Sequence, residues 1–364
     1  MRRYGTFLLA ALALAGGYLT TWPVPVDPVA WEAPQDRGLT GAFAANDALS
    51  AATAIDLGTY EGPEDVVAGP DGALYATTSS GAILRIERDT GTVSEFAHTG
   101  GRPLVIEAAA DGSLLVANAY SGLQRVSPGG EVTDLLAAVN GERIAYADDL
   151  AVSSDGIVFF SDASTKFGAR AWNGTFAASL LDILEHGGHG RIVEFDPERG
   201  NARVILDGLN FANGVAISGD DRFLLIAETG SYRILRHWLR GPDAGTTEVV
   251  VDNLPGFPDN INSGSEGRFW IGLVAPRDAG LDGLSDKPFL RKVVQRLPAF
   301  LRPAAAPSSH VIAINGDGDV LSSLQDPQAR YPAMTGVCET GQRLYLPRLF
   351  GHDLPYVDKS SLPR

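Results

Sequence analysis

Chemistry-bearing residues in this chain recur in short apolar stretches that end in an acid or an amide. Residues 254–261, LPGFPDNI, set a rigid turn with two prolines directly before Asp259 and Asn260. A surface turn would scatter its polar groups, and a buried strand would not open on a carboxylate. Similar pairs stand at Glu64-Asp65, Asp148-Asp149 and Asn213-Gly214, each followed by an apolar run and a tight turn. Counting back eight residues from the turn positions Gly72, Gly112, Gly156, Asp221, Gly267 and Gly341 gives Glu64, Leu104, Asp148, Asn213, Asp259 and Ala333. Four of these six carry oxygen donors, three of them carboxylates.

Carboxylates converging on one axis repel and are costly to desolvate unless a cation joins them. Donors from Asp, Glu and Asn, without Cys or His, suit Ca²⁺ first and Mg²⁺ or Mn²⁺ next. Zinc fits less well, because no His-rich cluster of suitable spacing is present. Such an ion can be catalytic, or it can simply pin structural elements together.

The elements that place these residues at one height are a repeat. Between residues 56 and 278 no long segment has helical periodicity. Short alternating apolar runs bounded by Asp-Gly or similar turns follow one another instead, as in successive β-hairpins. Six units emerge when the turns are aligned, beginning EDVVAGPDG, LVIEAAADG, DDLAVSSDG, NGVAISGDD, DNINSGSEG and MTGVCETGQ. Each has a short apolar strand, a turn, a stronger hydrophobic strand and a third strand, with outer strands such as VSEFA, ARVIL and TEVVV. Six such units of about 40–45 residues predict an all-β, six-bladed β-propeller over residues 56–364. The first strand of each blade then lines the channel and brings the level residues to one mouth. Two partly helical insertions are expected, at residues 166–189 and 278–307. The second contains KPFLRKVVQRLPAFLRP, an amphipathic stretch that can serve as a lid, pack between blades or lie on a membrane.

The N-terminus has another character. Arg2 and Arg3 precede an apolar run from Phe7 to Trp22, the pattern of a signal segment. Residues 1–22 are read as an uncleaved hydrophobic anchor in preference to a cleaved signal peptide, and residues 23–55 as linker and lead-in. With the positive end held inside, the propeller lies on the exported side, periplasmic or lumenal. Cleavage would leave it secreted or periplasmic.

Composition bounds the remaining options. The net charge of −15 over 364 residues argues against a nucleic-acid partner. Cys338 is the only cysteine, so no intramolecular disulfide forms, and its apolar surroundings make it a small buried hydrophobe rather than a catalytic thiol. No G-x-S-x-G elbow occurs, and the glycines form no Rossmann or P-loop pattern. None of the six histidines falls at a channel-mouth position. His186 and His189, in EHGGHG, read as surface-loop residues that could also move protons at a pocket edge.

FFSDASTKFG, GRIVEFDP, FANGVAIS and LPGFPDNI followed by GRFWIGLVAP closely resemble the strictosidine synthase-like family, which is related to paraoxonases and to the regucalcin/gluconolactonase group. The resemblance covers residues 61–358. It implies a six-bladed propeller with a divalent ion, usually Ca²⁺, in the channel mouth. By that resemblance Glu64, Asn213, Asp259 and Asn260 match ligand positions, while Asp148 stands where hydrolytic relatives usually carry an asparagine. Strictosidine synthases use a glutamate near the start of the sixth blade, but PQARYPAMTGVC has no acid between Asp326 and Glu339, so their condensation is not expected. The paraoxonase histidine pair is also missing, and LLVANAYSG offers Asn118 and Tyr120 at that pocket instead. The reading is therefore a metal-dependent hydrolase of a small-molecule ester or lactone, with Asp148 as base. The alternative is a non-catalytic, membrane-tethered binding propeller with a structural metal.

Overall fold

The computed structural model describes residues 2–109 and 111–362; the side chains of residues 2–6 and 8–11, Arg2 and Arg3 among them, lie outside that description. Six four-stranded antiparallel sheets follow one another around an axis, a six-bladed β-propeller. The inner strands are Val66–Ala68, Pro103–Ala108, Ala147–Val152, Ala212–Ile217, Gly256–Ser263 and Cys338–Glu339. Second strands such as Leu114–Asn118 and Val158–Asp162 are buried along their whole length, because neighbouring blades cover both faces. Outer strands are more open, as at Val93–His98, where Ser94, Glu95 and His98 face water. The first turn of blades one, two and three places Gly72, Gly112 and Gly156 at φ of 85°, 81° and 84°, which only glycine adopts without strain.

The last blade closes the ring with the start of the chain. Thr53–Asp56 is its outer strand and pairs antiparallel with Asp353–Asp358, Thr53 opposite Tyr356. This corrects the assignment of residues 53–55 to the linker: the four residues TAID carry no local signal, and only the partner strand defines them as a strand.

Among the described residues, four helices accompany the sheets: α1 (Arg2–Thr21), α2 (Thr175–Glu185), α3 (Ala279–Asp282) and α4 (Pro288–Arg296). Helix α2 lies between the second and third strands of blade three, and α3 and α4 between those of blade five. Both insertions leave their sheets where the inner strand begins, since Ala147 pairs with Asp162 and Gly256 with Pro276. They therefore stand on the same face of the ring as Asp148 and Asp259. Among the described residues no helix is long and apolar enough to cross a membrane. In α1, Gly16, Gly17, Thr20 and Thr21 interrupt the apolar run, so the expected spanning anchor is not shown.

Candidate functional site

The inner strands of blades three, four and five lose regular register at the level residues. Pairing jumps from Ala147 to Leu150, from Ala212 to Val215 and from Pro258 to Ile261. A bulge of this kind re-aims side chains, and each one holds a doublet: Asp148-Asp149, Asn213-Gly214, Asp259-Asn260. Glu64, Asp148, Asn213, Asp259 and Asn260 are all buried. The Asn213 Nδ2 donates to Asp259 Oδ1 across the gap between blades four and five. The Asn260 Nδ2 donates to the carbonyl of Glu64 at 3.2 Å, and the Thr335 hydroxyl donates to the same carbonyl at 2.6 Å.

Gly214 has a steric reason to be glycine. A Cβ there would lie 2.6 Å from Ile261 N and closer still to the Asp259 carbonyl. The blade-four strand thus presses directly on the backbone that carries Asp259.

Burial raises the pKa of Asp148 well above the carboxylate range, and Asp259, Glu64 and Asp149 push it further. Asp259 is raised by burial and then by Glu64, against the hydrogen bond from Asn213. Glu64 is raised by burial despite its ion pair with the guanidinium of Arg102. The neighbouring phenol of Tyr146 rises through burial and the negative field of Asp148, Glu64 and Asp259. Three carboxylates and a phenol thus share a site in which, among the described residues, Arg102 is the compensating cation.

The donor set also has unused capacity. Asn213 Oδ1, Asp259 Oδ2 and Asn260 Oδ1 are buried without a hydrogen-bond partner among the described residues. Buried oxygens without partners are costly, and three of them beside an excess of carboxylates fit a hard divalent cation in donor type and charge. Among the described residues, no three His, Cys, Asp or Glu side chains are gathered as ligands for one ion. Two of the open oxygens are amides, and Arg102 occupies Glu64.

Arg102 escaped sequence reasoning because it stands in the crossing loop before blade two rather than at a level position. Asn118 holds that loop: its Oδ1 accepts from the backbone of Arg102 (3.1 Å) and Tyr120 (3.0 Å), and its Nδ2 donates to Gly100 O (2.6 Å) and Gln124 Oε1 (2.9 Å). Asn118 is fully buried with its amide saturated, so the structure places it beneath Arg102 rather than on a pocket wall. Tyr120 lies beside Arg170, whose guanidinium is 5.6 Å from the ring centre, and packs against the apolar cluster of Leu104, Tyr146, Phe167, Phe211, α2 and Val26.

The two histidines are not gathered with the acids. His186 ends α2 in a left-handed conformation, stacked on Trp31 at 4.0 Å, and burial with the charges of Arg291 and Arg233 pushes its pKa down to about 3. The expectation of a surface-loop residue fails here because the lead-in chain covers it. His189 Nε2 donates to Glu185 Oε1 at 2.6 Å. Burial alone would raise Glu185, but His189 and Lys166 hold it at about 2. His189 also lines an open cleft of about 570 Å³ with Thr165, Arg191 and Asp207.

Beneath the mouth, Asp65 and Asp149 tie the blades together. Asp149 Oδ2 accepts from Val215 N (2.9 Å) and Ile261 N (3.1 Å), joining blade three to blades four and five. Asp65 Oδ2 accepts from Ile106 N in blade two (3.0 Å), and its Oδ1 accepts from Asn262 Nδ2 in blade five (3.2 Å). Asn262 Oδ1 accepts from Val337 N in blade six (2.9 Å). In each acid doublet the first residue faces the mouth and the second staples the ring.

A six-bladed propeller is a scaffold that enzymes and binding proteins share. Residues 148–242 match the strictosidine synthase family, and residues 41–86 match its strictosidine synthase-like N-terminal region. The adipocyte plasma membrane-associated protein of Rattus norvegicus is 31% identical over 89% of this chain and 91% of its own length. The strictosidine synthase-like 6 protein of Arabidopsis thaliana is 32% identical over 86% of this chain and 84% of its own. The chain belongs to the strictosidine synthase-like family. In fold it is similar to a gluconolactonase of Xanthomonas campestris (TM-score 0.61, 18% identity, 86% of this chain and 89% of that one). It is likewise similar to a calcium-binding regucalcin of Agrobacterium tumefaciens (TM-score 0.55, 14% identity, 81% and 85%).

Proposed function

We propose that the chain is a divalent-cation-dependent hydrolase of carboxylic esters or lactones, with Ca²⁺ as the preferred ion. The observation that carries this reading is the set of unpartnered oxygens on Asn213, Asp259 and Asn260, buried beside Glu64 and Asp148. The gluconolactonase and calcium-binding neighbours support the same chemistry.

Glu64, Asn213, Asp259 and Asn260, with Asp148 beside them, would hold the ion. When bound, it supplies a Lewis acid for the substrate carbonyl and a counter-charge for the developing oxyanion. Asp148, ionised once the cation is held beside it, would take the proton of the attacking water. Tyr146 keeps its proton and walls the site. Arg102 offsets one carboxylate, so the acids can stay close without a second ion. The test is turnover of lactones and aryl esters by the purified chain in Ca²⁺ against EDTA. A folded protein with no metal-dependent turnover on any of them would overturn the reading.

A second reading is a non-catalytic binding propeller in which the ion is structural. The apolar cover of Val26, Tyr146, Phe167 and Phe211 around Leu104, the level residue of blade two, favours it. The two separate on Asp259→Ala: a structural ion predicts lower thermal stability with partner binding kept in the folded fraction.

The N-terminal segment is proposed to tether the chain to a membrane with the propeller on the exported side. The name of the plasma membrane-associated relatives supports membrane association.

A further inference from the structure

Helix α4 is built inside out. Its arginines point inward: Arg291 is fully buried and Arg296 nearly so, while Phe289 and Leu290 are 54% and 41% exposed. The short turn after it adds Phe300 and Leu301, 84% and 57% exposed. A helix facing water shows the opposite arrangement.

The inward arginines have a defined task. Arg291 donates to the carbonyls of Leu184 (2.9 Å) and Glu185 (3.3 Å), the last turn of α2, and to those of Ser285 (2.9 Å) and Val29. Arg296 donates to the carbonyls of Leu19 (3.0 Å) and Trp22 (2.5 Å) at the end of α1. A guanidinium at a helix C-terminus satisfies orphan carbonyls and complements the dipole. One helix therefore clamps the ends of two others and turns its apolar side chains outward.

The exposed side chains continue onto α1. Leu12, Leu14, Tyr18 and Trp22 are exposed, and the Tyr18 and Trp22 rings lie 5.6 Å apart at the clamped end. Paired aromatics at the end of an apolar helix are the pattern of a membrane–water boundary. Charge points to the same partner. The chain carries −15 overall, yet in residues 287–302 the charges left at the surface are Lys287, Lys292 and Arg302, with no acid among those residues; Arg291 and Arg296 are spent on the inward carbonyls. A local basic stretch on an acidic protein complements anionic lipid headgroups.

We infer that α4 and the turn Ala299–Leu301 form a lipid-docking surface that lies in the headgroup layer beside α1, with Phe289, Leu290, Phe300 and Leu301 immersed. This goes beyond an N-terminal tether, because it fixes which face of the propeller meets the bilayer. Both insertions leave the ring on the face that carries Asp148 and Asp259, so the acidic mouth opens toward the membrane.

The test uses the full chain with single labels. Cys338 is the only native cysteine, and burial, then Asp65 and Glu107, push its thiol up to about 12, so it stays silent to thiol reagents. An environment-sensitive fluorophore is placed on F300C, on L290C, and on T90C, an exposed turn of the opposite face. The chains are reconstituted in vesicles of phosphatidylcholine and phosphatidylserine containing a spin-labelled quencher lipid. The expected result is blue-shifted emission and severalfold stronger quenching at 300 and 290 than at 90. F289S/F300S/L301S should lower quenching at 290 to the level at 90 while α1 keeps the protein on the vesicles. Quenching at 300 equal to that at 90 overturns the inference. So does a label shielded from water but not quenched, in a chain that sediments as a dimer. No readout depends on hydrolysis, so the outcome is independent of the catalytic reading.

Discussion

Asn213 and Asp259, on the inner strands of adjacent blades, share one hydrogen bond and leave one oxygen each without a partner. Nδ2 of Asn213 meets Oδ1 of Asp259, while Oδ1 of the amide and Oδ2 of the acid stay buried and open. An arrangement that satisfies half of each group orients the other half toward a common third partner. Asp259→Asn keeps the shape and removes the charge. It should weaken Ca²⁺ binding by more than about 10-fold, the lower end of what supporting residues around a metal already cost. Relief of a buried carboxylate should leave the metal-free protein at least as stable. Calorimetric titration with Ca²⁺ and melting in EDTA check both, and unchanged affinity would remove Asp259 from the ligand set.

Without a divalent ion the fold should lose stability as pH rises. Burial raises Asp65 to about 8 and Glu107 to about 7, and Asp148, Asp149 and Asp259 rise as well. Such groups keep a proton in the native state that the unfolded chain has released. Their contribution is therefore complete below the ordinary carboxylate pKa of about 4 and falls away toward pH 8. Glu185 and Glu339, held at about 2, act in the opposite sense and withdraw stability as pH drops from about 4.5 to 2. The melting temperature in EDTA should peak near the acid end, at about pH 5. Ca²⁺ should flatten the alkaline limb, because a cation favours the ionised acids. A metal-free profile that rises from pH 5 to 8 would contradict the field described at the mouth.

Gly214→Ala tests the close approach of blades four and five. The new Cβ meets backbone atoms of Asp259 and Ile261, which cannot swing aside as a flexible side chain would. The expected cost is about 1–3 kcal/mol, the range for overpacking, with weaker Ca²⁺ binding because Asp259 moves. Gly219, with open space around its Cβ position, is the matched control; alanine there should change stability by less than about 0.5 kcal/mol. Urea unfolding of the two variants separates packing from loss of glycine alone.

The mouth was legible in the chain because one count, eight residues back from each turn, is a physical height along an inner strand. That count placed Glu64, Asp148, Asn213 and Asp259 together. It could not show that the strands bulge at those positions, since register is a property of two strands. Arg102 stayed hidden because its loop is placed by Asn118, sixteen residues on, through contacts with no periodic signature. Thr53–Asp56 was missed for the same reason: its partner lies at the far end of the chain. His186 was read as exposed because nothing local announces that Trp31 will cover it.

Arg102 makes the charge balance of the site testable. Glu64, Asp148 and Asp259, when ionised, contribute three negative charges; Arg102 returns one, and a divalent ion would return the other two. Arg102→Met keeps the apolar stem and removes the guanidinium, leaving Glu64 buried without its partner. Breaking a buried pair from one side costs about 3–5 kcal/mol, so the metal-free melting temperature should fall clearly. Added Ca²⁺ should restore more stability in this variant than in the native chain, because the ion then meets three uncompensated acids. Paired melts in EDTA and in saturating Ca²⁺ measure the difference. Equal Ca²⁺-induced gains in the two proteins would show that Arg102 and the ion do not share the same field.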